Sequence, residues 1–296
     1  MIYTGLPTPL APQVGLVPLR VDPRTRLWEL WHPETGRRPS IDMAARLVVE
    51  GETSLVFVLV PGGRARLGRA SGLPDEAPST ADLAPFFLSK YELTQGQWTR
   101  LTGTNPSVHQ AGREASTIVG GRAHLALFGP ANPVEQVSWN ACSRTLGAVG
   151  LTLPTEAQWE WAARGQDDRR LPWGDAPADP TRAVCVLRSG QEALGTRPVG
   201  LRPAGASWCG VEDLTGNVLE WCLDHYIESY AARPAEAGTG RRLVFPPAAW
   251  ERAVRGGSWG RWITDSYLHQ RGRLQPATAM IDLGCRPARA VAPAGA

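Results

Sequence analysis

Helical periodicity is never sustained for long in this chain, because glycine and proline break it at short intervals: 32 Gly and 26 Pro are spread over 296 residues. Proline removes a backbone donor and clashes with the preceding helical turn, and glycine weakens any helix it enters. A helical bundle is therefore excluded, which leaves short elements joined by long loops. Such a fold needs something to hold its loops, and the chain supplies 12 Trp against 5 Tyr and 5 Phe. An indole buries a large apolar surface while its N–H demands a fixed partner. Hydrophobic residues at 43% and charged residues at 20% exclude intrinsic disorder.

The 31 basic residues nearly balance the 28 acidic ones, and Lys90 is the only lysine. Without a basic run this is no nucleic-acid footprint, and no nucleic-acid partner is expected. The longest apolar run, Leu55 to Val60, is far too short to cross a membrane, and no membrane partner is expected. Cys142, Cys185, Cys209, Cys222 and Cys285 are odd in number, widely spaced and free of any CxxC. They read as reduced, buried thiols. The N-terminal residues lack the basic start and apolar run of a signal peptide, so a cytoplasmic protein is expected.

Residues 1–50 read as a Pro-rich extension packed on a main domain of residues 51–296. Leu27–Trp31 alternates weakly before a turn at Pro33–Gly36, as in a hairpin. Leu55–Val60 is a buried strand ended by Pro61-Gly62-Gly63, and Phe86–Tyr91 is another. Thr94-Gln95-Gly96-Gln97 and Thr155-Glu156-Ala157-Gln158 have the form of capping boxes, and Ser138 can cap a helix from Trp139 to about Leu146. Beyond Arg164 some fifty residues lack regular structure, a length that usually marks functional or ion-held loops.

Several segments, in order, resemble the formylglycine-generating enzyme (sulfatase-modifying factor) family. They are Val58–Gly63, Phe86–Thr94, Asn132–Trp139, Leu153–Arg164, Pro172-Trp173-Gly174-Asp175, Asp213–Trp221, Arg255-Gly256-Gly257-Ser258-Trp259 and Gly284-Cys285-Arg286. The resemblance implies an α+β, C-type-lectin-like fold of the formylglycine-generating-enzyme type: small sheets, few short helices and long ordered loops. In that family two cysteines after the Arg-Gly-Gly-Ser-aromatic motif hold Cu(I), a soft ion that wants thiolates. By direct offset those positions fall on Arg261 and Ser266, so formylglycine synthesis is not expected. The sulfoxide-synthase branch uses histidine-held iron, yet no two of His32, His109, His124, His225 and His269 stand at ligand spacing. Neither copper nor iron is expected, and the chain reads as no enzyme. Structural calcium is implied at Asn217 and Glu220, whose hard oxygens suit it. The other reading of those residues is a turn cap for Asn217 and an arginine partner for Glu220.

The segment between Trp259 and Gly284 shows no helix or strand period, yet it mixes bulky apolar groups with adaptable polar ones, the composition of a recognition surface. Candidate ligand-binding residues are Arg261, Trp262, Ile263, Thr264, Ser266, Tyr267, His269, Gln270, Arg273, Gln275, Thr278 and Met280. Trp262 and Tyr267 are the preferred exposed anchors, although each apolar residue here can equally be core. Together these traits resemble the variable proteins of diversity-generating retroelements. A ligand-binding protein displaying residues 260–282 to an unidentified protein or small molecule is expected. The alternatives are a metal-dependent oxidoreductase of the family and a sensor module of a signalling protein.

Overall fold

The computed structural model describes residues 12–70, 72–119, 122–187, 194–229, 233–242 and 251–292; Trp250, left without a role by its sequence context, lies outside them. The strands begin with β1 (Val17–Val21), β2 (Trp28–Trp31), β3 (Ser40–Ile41), β4 (Leu47–Val48) and β5 (Val56–Val60). They continue with β6 (Gly63–Leu67), β7 (Ser79–Leu83), β8 (Phe86–Ser89), β9 (Glu114–Val119) and β10 (Arg122–Leu127). The C-terminal set is β11 (Leu219–His225), β12 (Arg252–Arg255), β13 (Gly272–Leu274), β14 (Leu283–Cys285) and β15 (Ala288–Ala290). The helices are α1 (Gln95–Thr102), α2 (Trp139–Gly147) and α3 (Glu156–Arg164). No helix among the described residues is long and apolar enough to cross a membrane.

Two sheets organise the chain. One is antiparallel in the order β1-β2-β5-β8-β15, and the other runs β13-β12-β11-β14. In the second sheet β12 pairs antiparallel with β11 and β14 pairs parallel on the opposite side. The apolar run of β5 is continuous because both of its faces are covered. Val58 and Val60 pack with Trp159, Trp161 and Cys222, while Phe57 and Leu59 pack with Trp221, Val254 and Leu283. The hairpin expected around the Pro33–Gly36 turn has a different partner: β2 pairs with β1, through a turn at Asp22–Leu27.

Helix α3 is buried along its whole length. Thr155 caps it by accepting from Gln158 N, and Gln158 returns a side-chain bond to Thr155 N. A buried helix must find partners for its charges. Glu160 pairs with Arg255, Glu156 with Arg271 at 2.7 Å, and Arg164 donates to Gly68 O at 2.7 Å. The indoles behave as connectors. Trp159 Nε1 donates to Glu220, Trp161 Nε1 to Pro61 O and Trp221 Nε1 to Val137 O. All five cysteines are buried and unpaired.

Candidate functional site

The C-terminal segment leaves the second sheet where β12 ends. Gly256 and Gly257 follow with φ of 97° and 69°, the left-handed region that glycine enters without strain. At Gly257 a Cβ would lie 1.9 Å from Ser266 Oγ, so only glycine lets the segment fold back this tightly. The returning end is tied to the departing one: Ser258 Oγ donates to Asp282 at 2.8 Å, and Trp259 N donates to Asn217 O at 2.9 Å. Val186 holds the tip, donating its N–H to Arg261 O and accepting from Ile263 N through its carbonyl.

Within this clamp the candidate residues separate into four groups. Ile263, Thr264 and Tyr267 line a cavity of 270 Å³ with Leu171, Pro177 and Leu187. Arg261, Arg273, Gln270 and Tyr267 line a neighbouring cavity of 170 Å³ floored by Gly256 and Gly257. Trp262 stands 50% exposed beside them and lines neither, while Gln275 and Thr278 also lie outside both. The remainder supports the backbone instead of facing a ligand. Ser266 is buried and donates to Trp262 O, Met280 packs on the core between the sheets, and His269 is buried beside Glu76 at 3.7 Å. Desolvation, reinforced by Arg164, Arg69 and Arg255, pushes the His269 imidazole down to about 4. Gln270 is a brace, since its side chain accepts from Tyr267 N and donates to Thr264 O, each at 2.8 Å.

The two cavities differ in chemistry. The first is walled by aliphatic groups, with Arg170 5.4 Å from the centre of the Tyr267 ring. The second carries arginines, with Asp265 the one carboxylate among its lining residues. Arg255 and Arg271 are held by Glu160 and Glu156, but Arg261 and Arg273 are about half exposed and only loosely paired. Arg261 lies 3.9 Å from Asp282, and Arg273 lies 3.5 Å from Glu251 and 3.7 Å from Glu228. Tyr267 is the wall common to both cavities. The contribution of Leu171, Pro177 and Leu187 is absent from any reading of the C-terminal segment alone. The nearby Pro172–Asp175 motif was the available signal for it.

Asn217 and Glu220 lie behind this face with their oxygens in use. Asn217 Oδ1 accepts from Arg197 N at 2.9 Å, and its φ of 58° makes it a turn residue. Glu220 receives Arg286 at 2.7 Å on Oε1 and Trp159 at 2.8 Å on Oε2. Such a pair does not fit a calcium ion, which needs carboxylate and amide oxygens turned toward it. Burial, with Asp213 and Glu220 nearby, pushes the Glu92 carboxyl that accepts from Asn217 Nδ2 well above the usual range. No group of three or more His, Cys, Asp or Glu among the described residues is arranged to hold a metal.

A family model described as the sulfatase-modifying factor enzyme 1-like domain matches residues 47–291. The hercynine oxygenase of Mycolicibacterium thermoresistibile is 35% identical over 149 residues, covering 46% of this chain and 31% of that protein. The formylglycine-generating enzyme of Streptomyces coelicolor is 35% identical over 178 residues, covering 53% of this chain and 52% of that protein. The chain thus spans about a third and about a half of the lengths of these relatives. Treponema denticola variable protein 1 superposes with a TM-score of 0.63 at 23% identity, over 82% of this chain and 98% of that one. That likeness is one of fold, and it places the chain in the α+β, C-type-lectin-like architecture. The enzyme names of the curated relatives correct the expectation that the chain is no enzyme. The missing thiols at Arg261 and Ser266 bear on one copper-based route and not on catalysis as such. Motif order, fold and the length of the match agree, and the chain belongs to the sulfatase-modifying factor enzyme 1-like domain family.

Proposed function

We propose that the chain binds a ligand presenting an apolar group next to a negative charge, in the paired cavities of its C-terminal face. The observation that carries this reading is the shared wall. Tyr267 separates an aliphatic cavity from one edged by two half-exposed arginines, so a single ligand can fill both. Burying an apolar side chain supplies affinity, and the guanidinium fork orients a carboxylate or phosphate. Trp262, exposed beside the cavities, extends the surface for a peptide or protein ligand. A peptide library varied at adjacent apolar and acidic positions tests this. Apolar–acidic pairs should be enriched on the wild-type chain and not on Tyr267→Ala or on Arg261→Ala/Arg273→Ala. Equal enrichment on those variants would remove the proposal.

The same face suits a retroelement variable protein, because the clamped ends hold the backbone while Arg261, Trp262, Thr264 and Arg273 are free to change. The flanking DNA decides this. It should hold a near-copy of the coding sequence for residues 260–282, differing at adenines and lying beside a reverse transcriptase gene. A second reading is favoured by the enzyme names of the relatives: chemistry performed on a ligand held in these cavities. Stoichiometric copper or iron in the purified protein would support it.

A further inference from the structure

Away from the C-terminal face, a cavity of 490 Å³ lies between the β1–β2 turn and the end of α3. It is larger than both cavities of that face together, and no part of the proposed function uses it. Arg24, Arg26, Arg164 and Arg169 line it against one carboxylate, Asp167, which Arg169 already holds. Its apolar wall is made by Leu27 and Trp208.

The site is built rather than incidental. Asp22 accepts from Arg24 N and Thr25 N through Oδ1, and Arg26 N bonds to Asp22 O; this fixes the turn that carries two of the arginines. Asp22 is itself buried and tied to Lys90 at 3.3 Å. The Arg26 backbone takes the left-handed conformation at φ 62°, and its guanidinium has no partner among the described residues. Arg164 is only 2% exposed, and its Nη1 is anchored on Gly68 O. Its Nε and Nη2 are buried without a hydrogen-bond acceptor, with Nη2 3.8 Å from Asp168. Arg169 Nε is buried without one too. Buried donors with no acceptor are rare in folded proteins and call for a partner. Trp208 is held in place by its N–H bond to Trp161 O at 2.9 Å.

We propose that this cavity is a second binding site, for a small organic anion that carries a planar ring. Guanidinium groups recognise phosphate and carboxylate through parallel N–H bonds; Arg164 is paired with Glu160 at 3.2 Å and Arg169 with Asp167, which leaves Arg24 and Arg26 as the cavity's arginines without a carboxylate partner among the described residues. An indole offers a flat surface on which a ring can stack. The volume is that of a pocket for a ligand of nucleotide size. The adjoining cavity beyond Arg164, of 440 Å³, carries two carboxylates, Asp167 and Asp168, and no aromatic wall. The anion therefore belongs in the first.

The chain is titrated calorimetrically with AMP, which has both ring and phosphate, and with pyrophosphate, which has charge alone. AMP is expected to bind saturably, and more tightly than pyrophosphate by about 10-fold or more, as a stacking contribution requires. Arg24→Ala/Arg26→Ala removes two exposed side chains on a turn built by Asp22, so its fold is kept; it should weaken AMP by about 10-fold or more. Arg261→Ala/Arg273→Ala removes the guanidinium groups of the C-terminal face, so that AMP held there is not counted, and saturable AMP binding should persist in that variant. The proposal is overturned if AMP shows no saturable binding, or if binding survives loss of Arg24 and Arg26 in a chain that also lacks Arg261 and Arg273. It is overturned equally if binding is lost with Arg261 and Arg273. Pyrophosphate binding as tight as AMP would refute the ring and with it the ligand class.

Discussion

Neighbouring residues in the C-terminal segment do different work, and single substitutions separate them. Trp262 is half exposed, whereas Ile263 is 8% exposed in a small cluster with Leu171, Cys185 and Leu187. Trp262→Ala should shift the melting temperature by no more than about 2 °C while weakening ligand binding. Ile263→Ala should cost about 2 kcal/mol or more, because the cavity it leaves does not fully close. Paired thermal melts check both. Gln270→Ala removes the brace between Tyr267 N and Thr264 O and should cost about 1–2 kcal/mol. Composition picked out the segment between Trp259 and Gly284, and Tyr267 lines both of its cavities, but composition did not say which side chains face outward. Without a period there is no face to count from. That is why Ser266, His269 and Met280 read as surface candidates although Ser266 and His269 are buried and Met280 packs against the core. Leu171, Pro177 and Leu187 were hidden for the complementary reason: they enter the site from a loop between 76 and 96 residues away in sequence.

Elements with local signals were the legible ones. The capping boxes at Thr94 and Thr155 start α1 and α3 where their hydroxyl–amide spacing places them, and Ser138 caps α2 by accepting from Ala141 N. The unbroken apolar run of β5 marks a strand covered on both faces. What joins the elements was less visible, because long-range pairs leave no periodicity. Glu220 on β11 and Arg286 beyond β14 are 66 residues apart in sequence, yet they form a fully buried ion pair. Removing one partner strands the other charge. Glu220→Gln should destabilise the chain by about 3–5 kcal/mol in a denaturant titration, far more than loss of the α3 cap in Thr155→Ala, at about 1–2 kcal/mol. Since Glu220 is held by Arg286, adding calcium should not raise the melting temperature of the wild-type chain; a rise would show that the pair opens to take the ion.

For the molecule as a whole, the pH dependence of stability adds opposed contributions. Burial, with Asp213 alongside, pushes the Glu212 carboxyl from 4.5 up to about 7. The folded chain therefore holds a proton there that the unfolded chain has released. This contribution is fully present below about pH 4.5 and is lost as pH rises through about 7. His269 works in the other direction: its imidazole falls from 6.5 to about 4, so its stabilising contribution is present above about pH 6.5 and lost as pH falls through about 4. Comparing Glu212→Gln with the wild type isolates the first effect. The variant should gain on the order of 1–3 kcal/mol relative to the wild type between about pH 5 and about pH 8; a constant difference would place the carboxyl elsewhere in its titration. The sheet carrying the C-terminal segment has a further consequence at this scale. Because β12 and β14 flank the same strand, β11, the segment departs and returns about 10 Å apart, a span set by two strand spacings and not by the segment's own length. That span is a mounting width, fixing where any chain joining the two strands must begin and end. Doubling the exposed stretch around Trp262 should therefore add only about 0.6 kcal/mol of closure entropy, whereas replacing the segment whole would also take β13 from the sheet and Ile263 and Leu268 from the core.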